Sequence, residues 1–355
     1  MTPLSLPRTG IGNYIRGMVA GLAEAAEGRH EIVAFAPTGP RGRRRVDAAL
    51  AQIAVGRRVW ALPGAYYWRA LWSRAGRPPI ETVAGDLDVF HFSDWMYPAQ
   101  RGGVRATTVH DLVPVHFPEL VHPRTQQLHT SKLANAVRTC DVIFTNSRFT
   151  ADDLHERLGF APERTVVAYP GIDPRFRPEG PQTDLGAPYV LAVATLEPRK
   201  NLPALVRAFQ RVRSDRPDLV LAVAGAEPPG GAADPAVAGE GVRRLGFVAD
   251  EELARLYRGA EAVAYPSLYE GFGMPIVEAM ASRTPVIASD HASLDEASGD
   301  VALRADSSDP EAFAAAIEAA LDADKARLEA GVRHASGFSW RACGEAVLRG
   351  YENAL

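Results

Sequence analysis

The sequence predicts an α/β protein built from two doubly wound parallel-sheet domains, and three observations carry that expectation. Short apolar runs alternate with helical patterns through both halves, as parallel strands joined by crossover helices require. A chain of 355 residues is too long for one ordinary hydrophobic core. A proline- and glycine-rich stretch, Pro170–Pro188, interrupts the alternation and reads as an interdomain linker.

In the first half the predicted strands are Glu31–Ala36, Val89–Phe92, Ala106–His110, Val142–Thr145 and Thr165–Ala168. In the second half they are Tyr189–Thr195, Leu219–Gly225, Val242–Phe247, Glu261–Pro266, Pro285–Ser289 and Val301–Leu303. Helical patterns fall between them, at Leu202–Ser214, Asp250–Gly259 and Asp309–His334, and Trp340–Leu355 is a last helix after the second sheet. The start is unusual. A glycine turn, Thr9-Gly10-Ile11-Gly12-Asn13-Tyr14, comes almost at once, before the helical run Tyr14–Leu22. The residues ahead of it include Pro3 and Pro7, and proline cannot donate to the ladder of a central strand. Either the first strand is very short, or the chain as given starts downstream of its natural start; the second is the expectation, and it would leave the first sheet incomplete at its centre.

Composition excludes several classes. With 46% hydrophobic and 23% charged residues and a net charge of −4, the chain has ample core and no overall bias toward nucleic acid. The basic runs Arg41-Gly42-Arg43-Arg44-Arg45 and Arg57-Arg58 read as solvated loop. Cys140 and Cys343 offer neither a disulfide framework nor metal-ligand spacing, which fits a reducing, cytoplasmic setting. No run of about 18 apolar residues is present to span a membrane, and Met1–Arg8 lack the apolar core of a signal peptide. Asp86-Leu87-Asp88 has the form of a metal-binding acid pair, but Val89 follows at once and a strand start is the better reading. The segment Trp60–Trp72, with Tyr66, Tyr67, Trp68 and nearby arginines, reads as a helix packed on the first sheet; the sharper alternative is an acceptor-facing or peripheral membrane surface.

The most informative string is Glu270-Gly271-Phe272-Gly273-Met274-Pro275-Ile276-Val277-Glu278, between a strand and a helix. Glycines let the backbone approach a ligand closely. A helix N-terminus suits a phosphate, and the bracketing glutamates can accept from neutral hydroxyls on either side. A diphosphate between two polyhydroxylated ends is a nucleotide sugar. Glu197-Pro198-Arg199-Lys200-Asn201 follows a strand and opens the next helix, placing a cationic clamp where a diphosphate would sit. His110-Asp111 ends the strand Ala106–Val109, and open parallel sheets bind ligands beyond the carboxyl ends of their strands. Ile15 stands where the third glycine of a dinucleotide fingerprint belongs, which argues against an NAD enzyme.

These strings resemble those of the retaining glycosyltransferases of glycosyltransferase family 4. The T-G-I-G-x-Y, V-H-D-L, E-P-R-K-N and E-G-F-G-M-P-I-V-E segments are each similar to a family motif. So are Thr145–Phe149, Tyr169–Asp173 and Leu245–Val248, so the likeness spans nearly the whole chain. It implies a GT-B fold, two Rossmann-like domains facing an interdomain cleft: residues 1–175 on the acceptor side, 176–337 binding the nucleotide sugar, and a helix, 338–355, returning to the first domain. It also implies catalytic roles for His110 and Glu270, which would approach the donor sugar and hold its hydroxyls. Gly10 and Gly12 would face the donor from the first domain. Arg199, Lys200 and the turn Gly271, Phe272, Gly273 and Met274 would hold the diphosphate. Glu278 would bond the ribose, and the backbone at Val248 would read the base. Three positions depart from the family pattern: Thr195 where an arginine is usual, Arg283 where a glycine is usual, and Asp295 where a proline is common. The implied reaction is hexose transfer with retention to a glycan, glycolipid or small-molecule acceptor, with neither metal nor cofactor. The E-P-R-K-N form favours mannose from GDP-mannose, a UDP-sugar being the alternative. A nucleotide-sugar epimerase and an inactive nucleotide-sugar-binding protein are the rival readings.

Overall fold

The computed structural model describes residues 1–6, 9–61, 65, 67, 71–72, 75–93, 97–121, 123–227 and 234–355. The chain divides into two compact units, Met1–Gly171 with Phe338–Leu355, and Ile172–Gly337.

The first unit opens with helix α1 (Gly10–Ala26), which Thr9 caps by accepting from the Gly12 amide through Oγ1 at 3.2 Å. Gly10 and Gly12 therefore lie in the first helical turn. Ile15, Met18, Val19 and Leu22 recur at helical spacing on the buried face of α1. There follow β1 (Val33–Thr38), α2 (Pro40–Ala49), β2 (Gly56–Ala61), β3 (Val89–Phe92), β4 (Val104–Val109), α3 (Pro123–Thr139), β5 (Val142–Thr145), α4 (Arg148–Leu158) and β6 (Thr165–Val167). All these strands pair in parallel, but in two sheets: β1–β2, and β3–β4–β5–β6. One apolar core nevertheless joins Ala34, Ala36 and Val59 of the small sheet to Ala106, Val142 and Phe144 of the larger. A cavity of about 370 Å³ is lined by Val33 and Phe35 of β1, Val89 and Phe90 of β3, and Ile15 and Met18 of α1. The Met1 amino group donates to the Phe35 carbonyl at 2.8 Å.

The second unit carries β7 (Tyr189–Val193), α5 (Leu202–Asp215), β8 (Val220–Ala224), β9 (Val242–Gly246), α6 (Asp250–Gly259), β10 (Ala262–Tyr265), α7 (Met274–Ala281), β11 (Val286–Ser289), β12 (Leu303–Ala305), α8 (Pro310–Leu321) and α9 (Lys325–Ala335). Among the described residues, its strands form one parallel sheet in the order β12-β11-β10-β7-β8-β9. Chain order reverses between β7 and β10, and such a switch point opens a crevice at the strands' carboxyl ends. Val190, Leu191, Leu221 and Val263 are buried in near-continuous apolar strands, as helices on both faces demand. The last helix, α10 (Trp340–Glu352), belongs to the first unit. It packs on α1 through glycines: a Cβ on Gly21 would fall 1.7 Å from the Trp340 carbonyl oxygen, and one on Gly344 2.0 Å from the Gly21 carbonyl carbon.

Several elements differ from the sequence expectation. Arg41–Arg45 lie in helix α2, not a loop, with Gly42 and Val46 inward and the arginines exposed. Arg57 and Arg58 belong to strand β2, and Arg57 Nη2 donates to the Leu50 carbonyl at 2.6 Å. The pattern 309–334 is two helices, because Asp324 starts a new one by accepting from the Arg327 amide at 2.8 Å. The strand at 301–303 sits two residues later, at Leu303–Ala305. As expected, Asp88 leads directly into β3 at Val89, its carbonyl accepting from the Val104 amide at 2.7 Å. Residues 170–188 form no helix or strand, yet Arg258 of α6 donates to the carbonyls of Pro181 at 2.9 Å and Arg175 at 3.1 Å, so this segment is fastened to the second unit. Most of 60–72 lies outside the described residues. Within it, Tyr67 is exposed and Trp72 is buried, with its indole N–H donating to Pro78 O at 2.9 Å.

Candidate functional site

The switch point of the second sheet places two chain segments side by side. Beyond β7, Pro198–Lys200 form a single 3₁₀ turn, which Asn201 ends in the left-handed conformation (φ 51°) before α5 begins. Asparagine tolerates that conformation better than other side chains do, and its amide donates to Ser307 O at 3.1 Å. Beyond β10, residues 266–273 run to the N-terminus of α7. The two segments are joined by Leu268 N–H to Arg199 O at 3.0 Å.

Their side chains converge on Glu270, which is 8% exposed. Lys200 Nζ lies 2.5 Å from Glu270 Oε1, and Arg199 Nη1 lies 2.9 Å from Oε2. Arg199 also donates to the Tyr269 carbonyl at 2.7 Å. The Tyr265 hydroxyl donates to Glu270 Oε1 at 2.9 Å and accepts from Lys200 Nζ at 3.1 Å, while the Glu270 amide donates to Ser293 Oγ at 3.0 Å. Burial alone would raise the Glu270 pKa; the Lys200 and Arg199 cations overcome it and hold the carboxyl at about 2. Burial would likewise lower Lys200, and Glu270 reverses this, so its pKa is raised. Both groups are therefore charged across the physiological range.

Gly271, Phe272, Gly273 and Met274 continue directly into α7. Gly273 caps the helix at φ 104°, where a Cβ would also meet Leu294 at 2.9 Å, so glycine is required there twice over. One turn into α7, Glu278 accepts from the Tyr257 hydroxyl through Oε2 at 3.0 Å. Val248 stands apart, half-buried between β9 and α6. Thr195 is exposed, and Arg199 is the guanidinium that reaches the carboxylate.

His110 belongs to the first unit, one residue past β4. Its Nδ1–H donates to Asn146 Oδ1 at 3.2 Å, and its ring meets Tyr14 edge-on at 4.9 Å between centroids. Nε2 is buried with no hydrogen-bond partner among the described residues. Burial, helped by the Lys132 charge, lowers the His110 pKa to about 3, so the imidazole is neutral. Tyr14, the last residue of the predicted turn, is fixed through its hydroxyl to Ala168 O at 3.0 Å.

Sequence reasoning singled out Arg199, Lys200 and Glu270, and the structure brings them into direct contact. It overlooked Tyr265, Tyr257 and Asn146. A tyrosine in a buried strand or helix reads as core, and the only available signal was a polar-tipped residue five positions before Glu270. Among the described residues no helix is long and apolar enough to cross a membrane.

Two Rossmann-like units, one with a charged cluster at its switch point, place the protein in the GT-B class. Residues 176–333 match the family described as Glycosyl transferases group 1, and residues 8–176 match Glycosyltransferase Family 4. The chain belongs to the group 1 glycosyltransferases. It is 29% identical to the O-antigen chain mannosyltransferase B of Escherichia coli, over 99% of this chain and 97% of that one. It is 30% identical to a D-inositol 3-phosphate glycosyltransferase of Stackebrandtia nassauensis, over 80% of this chain and 71% of that one. Sucrose-phosphate synthase from Thermosynechococcus elongatus has the same fold, with a TM-score of 0.68 at 19% identity over 97% of this chain and 93% of that one.

Proposed function

We propose that the protein transfers a hexose, with retention of configuration, from a nucleotide sugar to a glycan, glycolipid or small-molecule acceptor. Mannose from GDP-mannose is the favoured donor. The observation that carries this reading is the cluster of half-buried Arg199 and Lys200 on buried Glu270 at the switch point. Two cations and a helix N-terminus make an electropositive seat for a diphosphate, and charge there stabilises the leaving nucleotide as its bond to the sugar breaks. The diphosphate would draw Arg199 and Lys200 from Glu270, freeing an ionised carboxylate to accept hydrogen bonds from sugar hydroxyls. Glu278 would accept from the ribose, and the Val248 backbone would read the base. Gly10, exposed in the first turn of α1, would offer its helix-start amide to the donor, and Gly12, whose own amide is taken by Thr9, would face the donor as part of the same turn. Neutral His110, with its Nε2 lone pair open, would position the sugar and relieve the positive charge developing on it. The cationic side chains would serve in place of a metal ion. The mannosyltransferase named above, similar along nearly its whole length, supports transfer over isomerisation and supports the choice of mannose. Membrane contact through residues 60–72 and a cytoplasmic setting belong to the same reading.

A calorimetric screen of GDP-mannose, GDP, UDP-glucose and UDP tests the donor, with GDP-mannose expected to bind most tightly. Glu270→Ala and Lys200→Ala are each expected to cut transfer at least ~100-fold, the scale of a single electrostatic contact to a developing charge. Near-normal rates in both variants would remove the site assignment.

A further inference from the structure

We propose that two buried tyrosines, Tyr265 and Tyr257, are positioning residues that hold the two donor-site carboxylates in place when a ligand takes their other partners. The inference rests on the donor-site reading above. Each acid of the E-G-F-G-M-P-I-V-E string is gripped by one tyrosine hydroxyl. Tyr265 at the end of β10 donates to Glu270 Oε1 at 2.9 Å, and Tyr257 in α6 donates to Glu278 Oε2 at 3.0 Å. Both residues are buried, at 2% and 0% exposure. Tyr257 is fixed further by Thr284 Oγ1, which donates to its carbonyl at 2.6 Å, and by Phe176, whose ring meets it edge-on at 5.6 Å. Burial first, then the adjacent carboxylate, raises the pKa of each hydroxyl, to about 12 for Tyr265. Both hydroxyls therefore remain donors at any working pH.

The chemistry separates these tyrosines from the cations. A diphosphate competes with Glu270 for Lys200 and Arg199, because it carries more charge than a carboxylate. It does not compete in the same way for a buried neutral hydroxyl. Once the cations turn to the phosphates, the Tyr265 hydroxyl still holds Glu270 Oε1, with the Ser267 side chain also beside the carboxyl. The other carboxylate oxygen can then be presented to the sugar without the carboxylate swinging toward the phosphates. Tyr257 does the corresponding work for Glu278 on the ribose side, where the loss would be felt by any ligand that carries the nucleoside.

The two tyrosines consequently predict different signatures. In calorimetric titrations, Tyr265→Phe is expected to bind the nucleoside diphosphate within about twofold of wild type but the nucleotide sugar about tenfold more weakly, since only the sugar reports on Glu270. Tyr257→Phe is expected to weaken both ligands by about the same tenfold factor. The probes are GDP with GDP-mannose and UDP with UDP-glucose, scored on the pair that the wild-type protein binds, alongside melting curves of every variant. A merely structural tyrosine would lower the melting temperature and weaken both ligands alike in Tyr265→Phe, and that result overturns the inference. Wild-type affinities in both tyrosine variants overturn it as well. Glu270→Ala and Lys200→Ala run in parallel. If they bind and transfer normally, or if neither donor pair binds the wild-type protein, the donor-site reading falls and takes the inference with it. If they fail while Tyr265→Phe matches wild type, the tyrosine assignment alone falls.

Discussion

Two histidines in the first unit are held neutral by burial, and this has a consequence for acid stability. His110 and His91 both have their pKa lowered from 6.5 to about 3, burial being the first cause in each. His91 is enclosed between the Tyr351 hydroxyl at 2.6 Å and Thr108 Oγ1 at 2.9 Å. A group whose folded pKa is depressed stabilises above its unfolded value and loses that contribution as pH falls through the folded one. The window is therefore pH 6.5 down to about 3, and the loss is at most about 1.4 kcal/mol per pH unit for each ring. Melting temperatures followed by tryptophan fluorescence are expected to fall steadily below pH 6.5. His110→Gln should flatten that slope by roughly half if the two rings contribute equally. An unchanged slope would show that the His110 ring already takes up a proton in the folded state. Glu270 adds a lower window: its carboxyl, held at about 2 against an ordinary 4.5, stabilises above 4.5 and loses that contribution as pH falls toward 2.

Helices α1 and α10 meet with almost no side chain between their backbones. Gly21→Ala would drive a methyl into the Trp340 carbonyl, a backbone atom that cannot rotate away, and should destabilise by at least about 2 kcal/mol, as overpacking does. Gly10→Ala is the matched control, because a Cβ there meets nothing within 4 Å. It should be neutral or stabilise by about 0.5 kcal/mol. Urea melts of the two variants check both signs, and equal midpoints would contradict the close approach. The same scale shows what could be read in advance. Strands such as Tyr189–Val193 and Ala262–Tyr265 were legible because burial on both faces leaves a continuous apolar run. Strand β2 was not, since Arg57 and Arg58 lie at a sheet edge and resemble loop residues. Helix α2 hid behind its arginines, which cover the outer face while Gly42 and Val46 carry the inward stripe. The cluster at Glu270 was legible because its parts are charged and close to helix starts. Tyr257 and Tyr265 were not, because a ring in the core declares its polarity only through the partner that its hydroxyl finds.

The two units differ in how completely their sheets are joined. Among the described residues, the second has one six-stranded sheet, whereas the first has sheets of two and four strands around a cavity of about 370 Å³. The first should be the less stable, and the chain offers a probe that separates them. All five tryptophans, at positions 60, 68, 72, 95 and 340, fall in the first unit. In a urea titration the fluorescence midpoint is expected to precede the main loss of far-ultraviolet ellipticity, which reports both units. Superimposable curves would show a single cooperative transition instead. The placement of α10 bears on how the protein is made. The ribosome delivers residues 1–171 before residues 172–337, and helix α10, which packs on α1, only after both. The glycine-lined flank of α1 stays uncovered while residues 172–337 emerge, so the first unit is completed only after the second has been made.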